Sequence, residues 1–380
     1  MKIGTVTFYG VEDNYGCILQ CFALPKYLNL LGHEAFFIKS RYDNSNETSS
    51  LPKRILNRII PWIKSPIKTW EARKDAQIME YNIRLRKQIA LEHPRHFSQF
   101  MDAFIPSTKD VYNQNELIDN PPIADAYVCG SDQIWGGVNP TMYLRFAPAG
   151  TKKIAYAASF GGLVPNPQTL VYIKQSISDF DLVALREQSG VDLCKSKLGR
   201  EDALLVPDPT LLLKVEEYKK VSKTTNPQIA TERPFILLYL LGNTMSVSVD
   251  DIMQFASRNN LEVRYVASGG RIDDYQKVYP SVEEWLYLLE NSSYVITNSF
   301  HGTIFSLLYN KKFMTIPLSG SYQRMNVRLT TLLNNLNLES RLYKGDFKVL
   351  FEEIDFAGFK SYQEKEISRV TNLLNKVLVK

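Results

Sequence analysis

Residues 294–318, YVITNSFHGTIFSLLYNKKFMTIPL, place an imidazole where a proton can pass to or from a bound anion. YVIT is a β-branched and aromatic run that predicts a strand. Asn298 and Ser299 follow as turn and cap residues, HGTIFSLLYN carries apolar residues at helical spacing, and KFMTIPL predicts a second strand. The turn thus joins a strand's carboxyl end to a helix's amino end, which is where open α/β sheets bind ligands. Unpaired N–H groups at a helix start favour an anion. His301, one of only four histidines, stands at this junction and is a candidate acid or base. A histidine at a helix start is also commonly a capping or packing residue, and position alone does not separate the two roles.

Other strand ends carry polar residues. Asn14 and Tyr15 follow the first strand and open a helix, where a phosphate or sugar can meet backbone N–H groups or where the residues simply cap and turn. The segment CGSDQIWGG, Cys129 to Gly137, follows the strand AYV. Ser131 can donate and accept, Asp132 is a carboxylate at a strand's mouth or a helix cap, and Trp135 offers an apolar face of the kind that stacks on sugar rings. Arg186 ends the strand DLVAL and suits a carboxylate or phosphate, or a surface carboxylate partner. SGSYQRMNVR adds Arg324 and Arg328 beyond the His301 unit, although Arg328 can equally begin a solvated helix face. Together these loops are directed at anions. No HExxH, GxSxG or Walker sequence accompanies them, and no metal site is expected.

Composition bounds the rest. The chain has 380 residues, a net charge of +5 and 44% hydrophobic residues, which fits a globular protein of two ordinary domains and gives no basis for nucleic-acid binding. The four cysteines form no CxxC pair and read as small buried residues. No apolar run reaches the ~20 residues of a membrane span. The opening MKIGTVTFYG is strand-like, without a signal-peptide pattern, so the expected compartment is the cytoplasm. Residues 52–75, PKRILNRIIPWIKSPIKTWEARKD, interleave basic with apolar and aromatic side chains. Such a stretch suits an anionic membrane face, or packs its apolar side on its own domain.

The elements that must position these residues alternate. KIGTVTFYG, a helix from Cys17 in which Pro25 predicts a kink, and HEAFFIKS form a βαβ unit and imply a parallel sheet. Residues 75–104 predict a helical stretch. Polar residues 219–233 predict a linker, after which strand and helix alternate again. The fold class is α/β, with two Rossmann-like domains facing a cleft in a glycosyltransferase-B-like arrangement; one larger sheet is the alternative. The expected divisions are 1–218, with a basic helical excursion at 52–104, then 234–345, then a helix over 356–380 packing back on the first domain.

Taken in order, NYGCILQCFAL, VCGSDQIWG, AYAASFG, LREQSG, VPDPTLLL and TNSFHGTIFSLLYNKKF resemble the polysaccharide pyruvyl transferase family over most of residues 3 to 340. The resemblance implies transfer of a pyruvyl group from phosphoenolpyruvate to two hydroxyls of a sugar, forming a cyclic ketal. His301 matches the histidine of the family's Arg-Leu-His motif, and Arg186 matches an arginine that holds the donor. Ser299 and Phe300 stand where Arg and Leu are often found. One guanidinium contact to the donor is therefore missing, and Arg324 or Arg328 can supply it. With the strand-end residues above, the expected site has His301 and Asp132 as catalytic groups. Arg186, Ser299, Gly302, Arg324 and Arg328 are expected at the donor, and Asn14, Tyr15, Ser131 and Trp135 at the acceptor. Phosphoenolpyruvate is the expected co-substrate, with no resident cofactor. The expected acceptor is a lipid-linked sugar met at the inner membrane face. A nucleotide-sugar glycosyltransferase and a non-catalytic sugar-binding homologue are the competing readings.

Overall fold

A computed structural model describes residues 1–41, 80–162, 165–227, 229–230, 233–242, 245–268 and 270–379. The chain divides into a unit of Met1–Arg41 with His96–Lys380 and a unit of Tyr42–Arg95. In the second unit a helical run covers 80–92 and carries an Arg84–Glu80 ion pair at 2.6 Å. The basic stretch 52–75, with its amphipathic reading, lies wholly outside the described residues. The expected helix over 75–104 is not continuous: helix is lost at 93–96, where Pro94 cannot donate a helical hydrogen bond and His96 takes a left-handed φ of 56°. Phe97–Phe104 then forms a separate helix in the first unit.

The first unit holds two parallel sheets, confirming the α/β class with two Rossmann-like halves. β1 (Lys2–Val6), β2 (Glu34–Phe37), β3 (Ala126–Cys129), β4 (Lys152–Ala158), β5 (Leu182–Leu185) and β6 (Leu204–Leu205) lie in the order β2-β1-β3-β4-β5-β6. β7 (Phe235–Tyr239), β8 (Glu262–Val266), β9 (Tyr294–Thr297) and β10 (Lys312–Thr315) lie in the order β10-β9-β7-β8. Short, wholly apolar runs such as AYVC, LVAL and FILLY make the central strands because both faces are covered by helices, and every residue of these runs is buried. In each sheet the first strand sits between its second and third in chain order. The order therefore reverses between β1 and β3 and again between β7 and β9, which opens a crevice at the carboxyl ends of those strands.

Five helices frame that crevice: α1 (Tyr15–Leu30), α2 (Val282–Asn291), α3 (Phe300–Leu308), α4 (Val327–Asn335) and α5 (Phe356–Val377). α1 runs through Pro25 without a break; the proline is buried and removes one helical donor, and the packed helix tolerates that. Tyr15 joins the sheets' cores, stacking on Trp285 of α2 at 5.2 Å and donating to the Pro280 carbonyl at 2.7 Å. α5 returns to the first sheet's side: Tyr27 of α1 meets Thr371 at 2.7 Å, and Gln363 donates to the carbonyls of Leu211 and Leu213, each at 3.0 Å. All four cysteines are free and buried, as their pattern predicts. Among the described residues no helix is long and apolar enough to cross a membrane.

Candidate active site

The loop after β3 begins the site. Gly130, at φ +117°, leaves only 2.1 Å between a Cβ and the Tyr156 carbonyl, so a side chain there would force β3 and β4 apart. Asp132 follows in a left-handed conformation, φ 76°, and its carbonyl takes the Ser159 N–H at 3.0 Å. This aims its carboxylate at Arg186, which leaves the end of β5. Arg186 Nη2 donates to Asp132 Oδ1 at 3.2 Å, and Arg186 Nη1 donates to Asp208 Oδ2 at 2.7 Å.

Asp208 is the hub. Its Oδ2 also accepts from the Ser131 hydroxyl at 2.8 Å, and its Oδ1 accepts from the Thr210 N–H and hydroxyl at 3.0 and 2.7 Å. His301 Nε2, from the second sheet's α3, comes to 3.4 Å from Asp208 Oδ2 without hydrogen-bond alignment. On its other side the imidazole rests against α1. A Cβ on Gly16 would stand 2.2 Å from His301 Nδ1, so glycine at the start of α1 is what lets this helix and the histidine meet. The first sheet thus supplies two carboxylates and a guanidinium, and the second supplies the imidazole.

The charges shift one another's ionisation. Burial pushes the Asp208 carboxyl up, but His301, Arg186 and the Thr210 hydroxyl outweigh it and hold the group far below the usual carboxylate range. Burial also raises Asp132, and Arg186, His301, Arg328 and the Gln133 N–H reverse that to a net lowering. For Arg186 burial works against the charge, yet Asp208, Asp132 and Glu187 raise its pKa overall. Arg328 differs: burial and the nearby Arg186 lower it to about 10 despite the carboxylates around it.

Beside this network a cavity of about 440 Å³ opens between the segment from Leu205 to Asp208, Phe300, α4 and α5. Arg186 and Arg328 both line it, and their guanidinium carbons lie 4.9 and 5.5 Å from the Phe300 ring centre. With its amide oxygen turned toward Arg328, Gln133 accepts from both terminal guanidinium nitrogens at 2.8 and 3.1 Å.

The structure brings His301, Asp132, Ser131, Arg186 and Arg328 into one region and corrects several expected roles. Trp135 is fully buried; its indole stacks on Tyr143 at 5.4 Å and donates to the Met142 carbonyl, so no face is left for a sugar. Tyr15 is likewise core. Ser131 is buried and committed to Asp208, so it positions a carboxylate rather than meeting an acceptor. Ser299 caps α3: its oxygen takes the Gly302 N–H at 3.2 Å, so the one group is spent on the other rather than on a donor. Asn14 caps α1 by accepting from the Cys17 N–H at 3.2 Å and is half-buried. Arg324 is exposed and is not part of the cavity wall. Arg186 is already neutralised by two aspartates, which makes it a poor free anchor for a donor.

Three residues escape the sequence reasoning. Asp208 lies between two prolines just beyond β6, and the signal that flags Asp132, a carboxylate at a strand's mouth, applies to it equally. Gln20, fully buried on α1, accepts the Ser131 N–H at 3.1 Å and donates to the Thr7 hydroxyl at 3.3 Å; no sequence signal marks it. Glu187 accepts the Phe160 N–H at 2.8 Å and leaves its other carboxylate oxygen without a partner. One Asp-x-Asp spacing, Asp179 to Asp181, is occupied by Lys153, whose Nζ meets Asp179 at 2.7 Å and whose N–H meets Asp181 at 2.8 Å. Among the described residues no group of three or more His, Cys, Asp or Glu side chains is placed to hold a metal.

Residues 14–320 match the family described as polysaccharide pyruvyl transferase. No curated protein matches the chain. Solved structures similar to it include a UDP-GlcNAc 2-epimerase from Neisseria meningitidis bound to UDP-GlcNAc, at 9% identity and TM-score 0.44 over 100% of this chain and 99% of that one. Another is the UDP-GlcNAc 2-epimerase of Methanocaldococcus jannaschii, at 11% identity and TM-score 0.46 over 99% and 100%. The spinosyn forosaminyltransferase is a third, at 13% identity and TM-score 0.44 over 100% and 99%.

Proposed function

Because the chain belongs to the polysaccharide pyruvyl transferase family, we propose that it moves a pyruvyl group from phosphoenolpyruvate to two hydroxyls of a hexose in a surface-polysaccharide precursor. The products are a cyclic ketal and inorganic phosphate. The observation that carries this reading is the approach of His301 to Asp208 among buried arginines, where the strand ends of both sheets meet.

The reaction needs a proton at the methylene carbon, which becomes a methyl group and leaves an oxocarbenium-like centre at the carbon bearing phosphate. One sugar hydroxyl adds there and gives up its proton. The C–O bond to phosphate then breaks, and the second hydroxyl closes the ring and loses its proton in turn. Of the two hydroxyl protons, one replaces that given to the methyl group and the other leaves on phosphate or to solvent. His301 is the group proposed to give and regain the first proton. Asp208, anionic at any working pH, lies 3.4 Å from the imidazole and stabilises it when it is charged. Arg186 positions both aspartates, and Asp132 is proposed to take the hydrogen bond of an acceptor hydroxyl. The proposed acceptor is lipid-linked and met at the inner membrane face, a reading supported by the basic sequence from Lys53 to Lys74.

The test is phosphate release from phosphoenolpyruvate, with and without a panel of hexose acceptors. Acceptor-dependent release is expected from the wild type, and His301→Ala is expected to lose at least ~100-fold in turnover, the usual scale of a general acid–base group, with an unchanged circular dichroism spectrum. Near-normal turnover by the folded variant removes His301 from the mechanism. Absence of release with every acceptor, together with tight binding of a nucleoside diphosphate, would replace the reading with glycosyl transfer.

A further inference from the structure

His301 and Asp208 come from the two different sheets, so neither sheet alone fixes how far apart they stand. α1 touches the supports of both. Gly16, in its first turn, seats the imidazole. Gln20 lies four residues on, along the same helix face, and is fully buried. Its Oε1 accepts the Ser131 N–H at 3.1 Å, and its Nε2 donates to the Thr7 hydroxyl at 3.3 Å and to Cys21 Sγ at 3.2 Å. The Thr7 hydroxyl in turn donates to the Ser131 carbonyl at 2.8 Å. The backbone of Ser131 is thus gripped at its N–H and at its carbonyl, and the bond between Gln20 and Thr7 joins the two grips. The Ser131 hydroxyl accepts from Arg186 Nη1 at 3.4 Å and donates to Asp208 Oδ2 at 2.8 Å, the oxygen that His301 approaches. Among the buried residues of α1, Gln20 is the one amide. Helix packing alone asks for an apolar side chain there, because a buried amide is stable only when its groups are paired.

We propose that Gln20 is a positioning residue: through Ser131 it sets where the Asp208 carboxylate stands against the imidazole that Gly16 seats one turn earlier. One face of α1 then gauges both partners. The gauge matters because Asp208 Oδ2 already receives Ser131 and Arg186, while His301 Nε2 reaches it without alignment and has no other partner. A carboxylate oxygen offers about two lone pairs, so a small rotation of the carboxylate decides whether the imidazole gains that oxygen. Thr7 shares the task by holding the other end of Ser131. The placement rests on these hydrogen bonds; only its use in proton transfer rests on the pyruvyl-transfer reading.

The test uses nuclear magnetic resonance of the full chain with ring-labelled histidine, beside the phosphate-release assay. The chain has only four histidines, so the His301 signals are assigned by their absence from His301→Ala. Gln20→Met keeps the side chain's length and removes its amide bonds. It is expected to move the His301 ring signals and to lower kcat at least ~10-fold, the scale of a small misplacement at a reacting group. The KM for phosphoenolpyruvate should stay within about 2-fold, since no binding contact is removed. Ile18→Val, a buried change on another face of α1, is expected to lower the melting temperature while leaving the signals and kcat as they are. Gln20→Met combined with Ser131→Ala should cost no more in kcat than the larger single change, because one residue acts through the other. Unmoved His301 signals in folded Gln20→Met overturn the proposal. So do moved signals with wild-type kcat, a loss confined to KM, additive losses in the double variant, or the same signal shift in Ile18→Val. Should Gln20→Met fail to fold, Thr7→Val takes its place, and unmoved signals there overturn the proposal. A wild type that releases no phosphate with any acceptor ends the pyruvyl-transfer reading, and the ring signals alone then decide whether Gln20 sets the pair.

Discussion

Asp208 carries more of the site than any other side chain, and its ionisation sets a pH window. Its carboxyl and that of Asp132 are both held below the usual carboxylate range in the folded protein. Below about pH 4 the unfolded chain therefore binds protons that the native state refuses. The stability these groups contribute is present above that point and is lost as pH falls through it. Urea unfolding between pH 3 and 7 should show little change from this pair above about pH 5 and a fall below about pH 4. Asp208→Asn should lose roughly 3 kcal/mol at neutral pH, because Arg186 is left with one weak partner, and should show a shallower acid fall. An unaltered acid limb in that variant would mean other carboxylates control it. At this scale sequence goes only so far: His301 and Asp132 are legible from their positions at strand ends, while Trp135 looks like a sugar platform because nothing local reveals that Tyr143 covers it.

Elements decide which of those residues meet. α1 and α3 come from different sheets, and their contact is a glycine against an imidazole. Gly16→Ala must displace His301 or α1, since 2.2 Å is no distance for a Cβ beside a ring nitrogen. Turnover should drop about 100-fold, the scale expected when a catalytic group moves by roughly 1 Å. The melting temperature should fall only modestly, because alanine is otherwise the better helix former. Wild-type turnover in Gly16→Ala would show that His301 need not sit where the structure holds it. Strands were the most legible elements, because runs such as FILLY and YVIT are short, apolar and bounded by turn residues. The helix Pro167–Ile177 has a weaker outline in sequence: its start is given by Asn166 and Pro167, but only Ile173, Ser176 and Ile177 are buried along it. Pro25 misleads in the other direction, since tertiary packing of α1 overrides the local preference.

At the scale of the molecule the site is assembled from distant sequence. Asp132, Arg186 and Asp208 come from one sheet's strand ends, His301 from the other's, and the cavity wall is completed by α5 near the carboxyl end. The parallel α/β class follows from alternation of strand and helix, so it is legible in advance, whereas the strand order of each sheet is set by tertiary packing. The partners of Asp208 are not legible either, because they depend on side chains up to 93 residues apart, as in His301 against Asp208. The basic sequence from Lys53 to Lys74 belongs to this scale too, as the proposed route to a lipid-linked acceptor. Replacing its lysines and arginines by glutamine should weaken co-sedimentation of the full chain with anionic vesicles, by about 1 kcal/mol for each charge near the surface. Equal binding to anionic and neutral vesicles would refute an electrostatic membrane contact. The Ser299–Phe300 pair also restricts which substitutions the site accepts. Arg in place of Ser299 forfeits the oxygen that receives the Gly302 N–H, and Leu in place of Phe300 strips the ring that lies against two like-charged guanidiniums. Single exchanges between this dipeptide and Arg-Leu therefore lose before they gain. Positions 299, 300 and 328 are coupled through these contacts, so the effects of substitutions at them should not add.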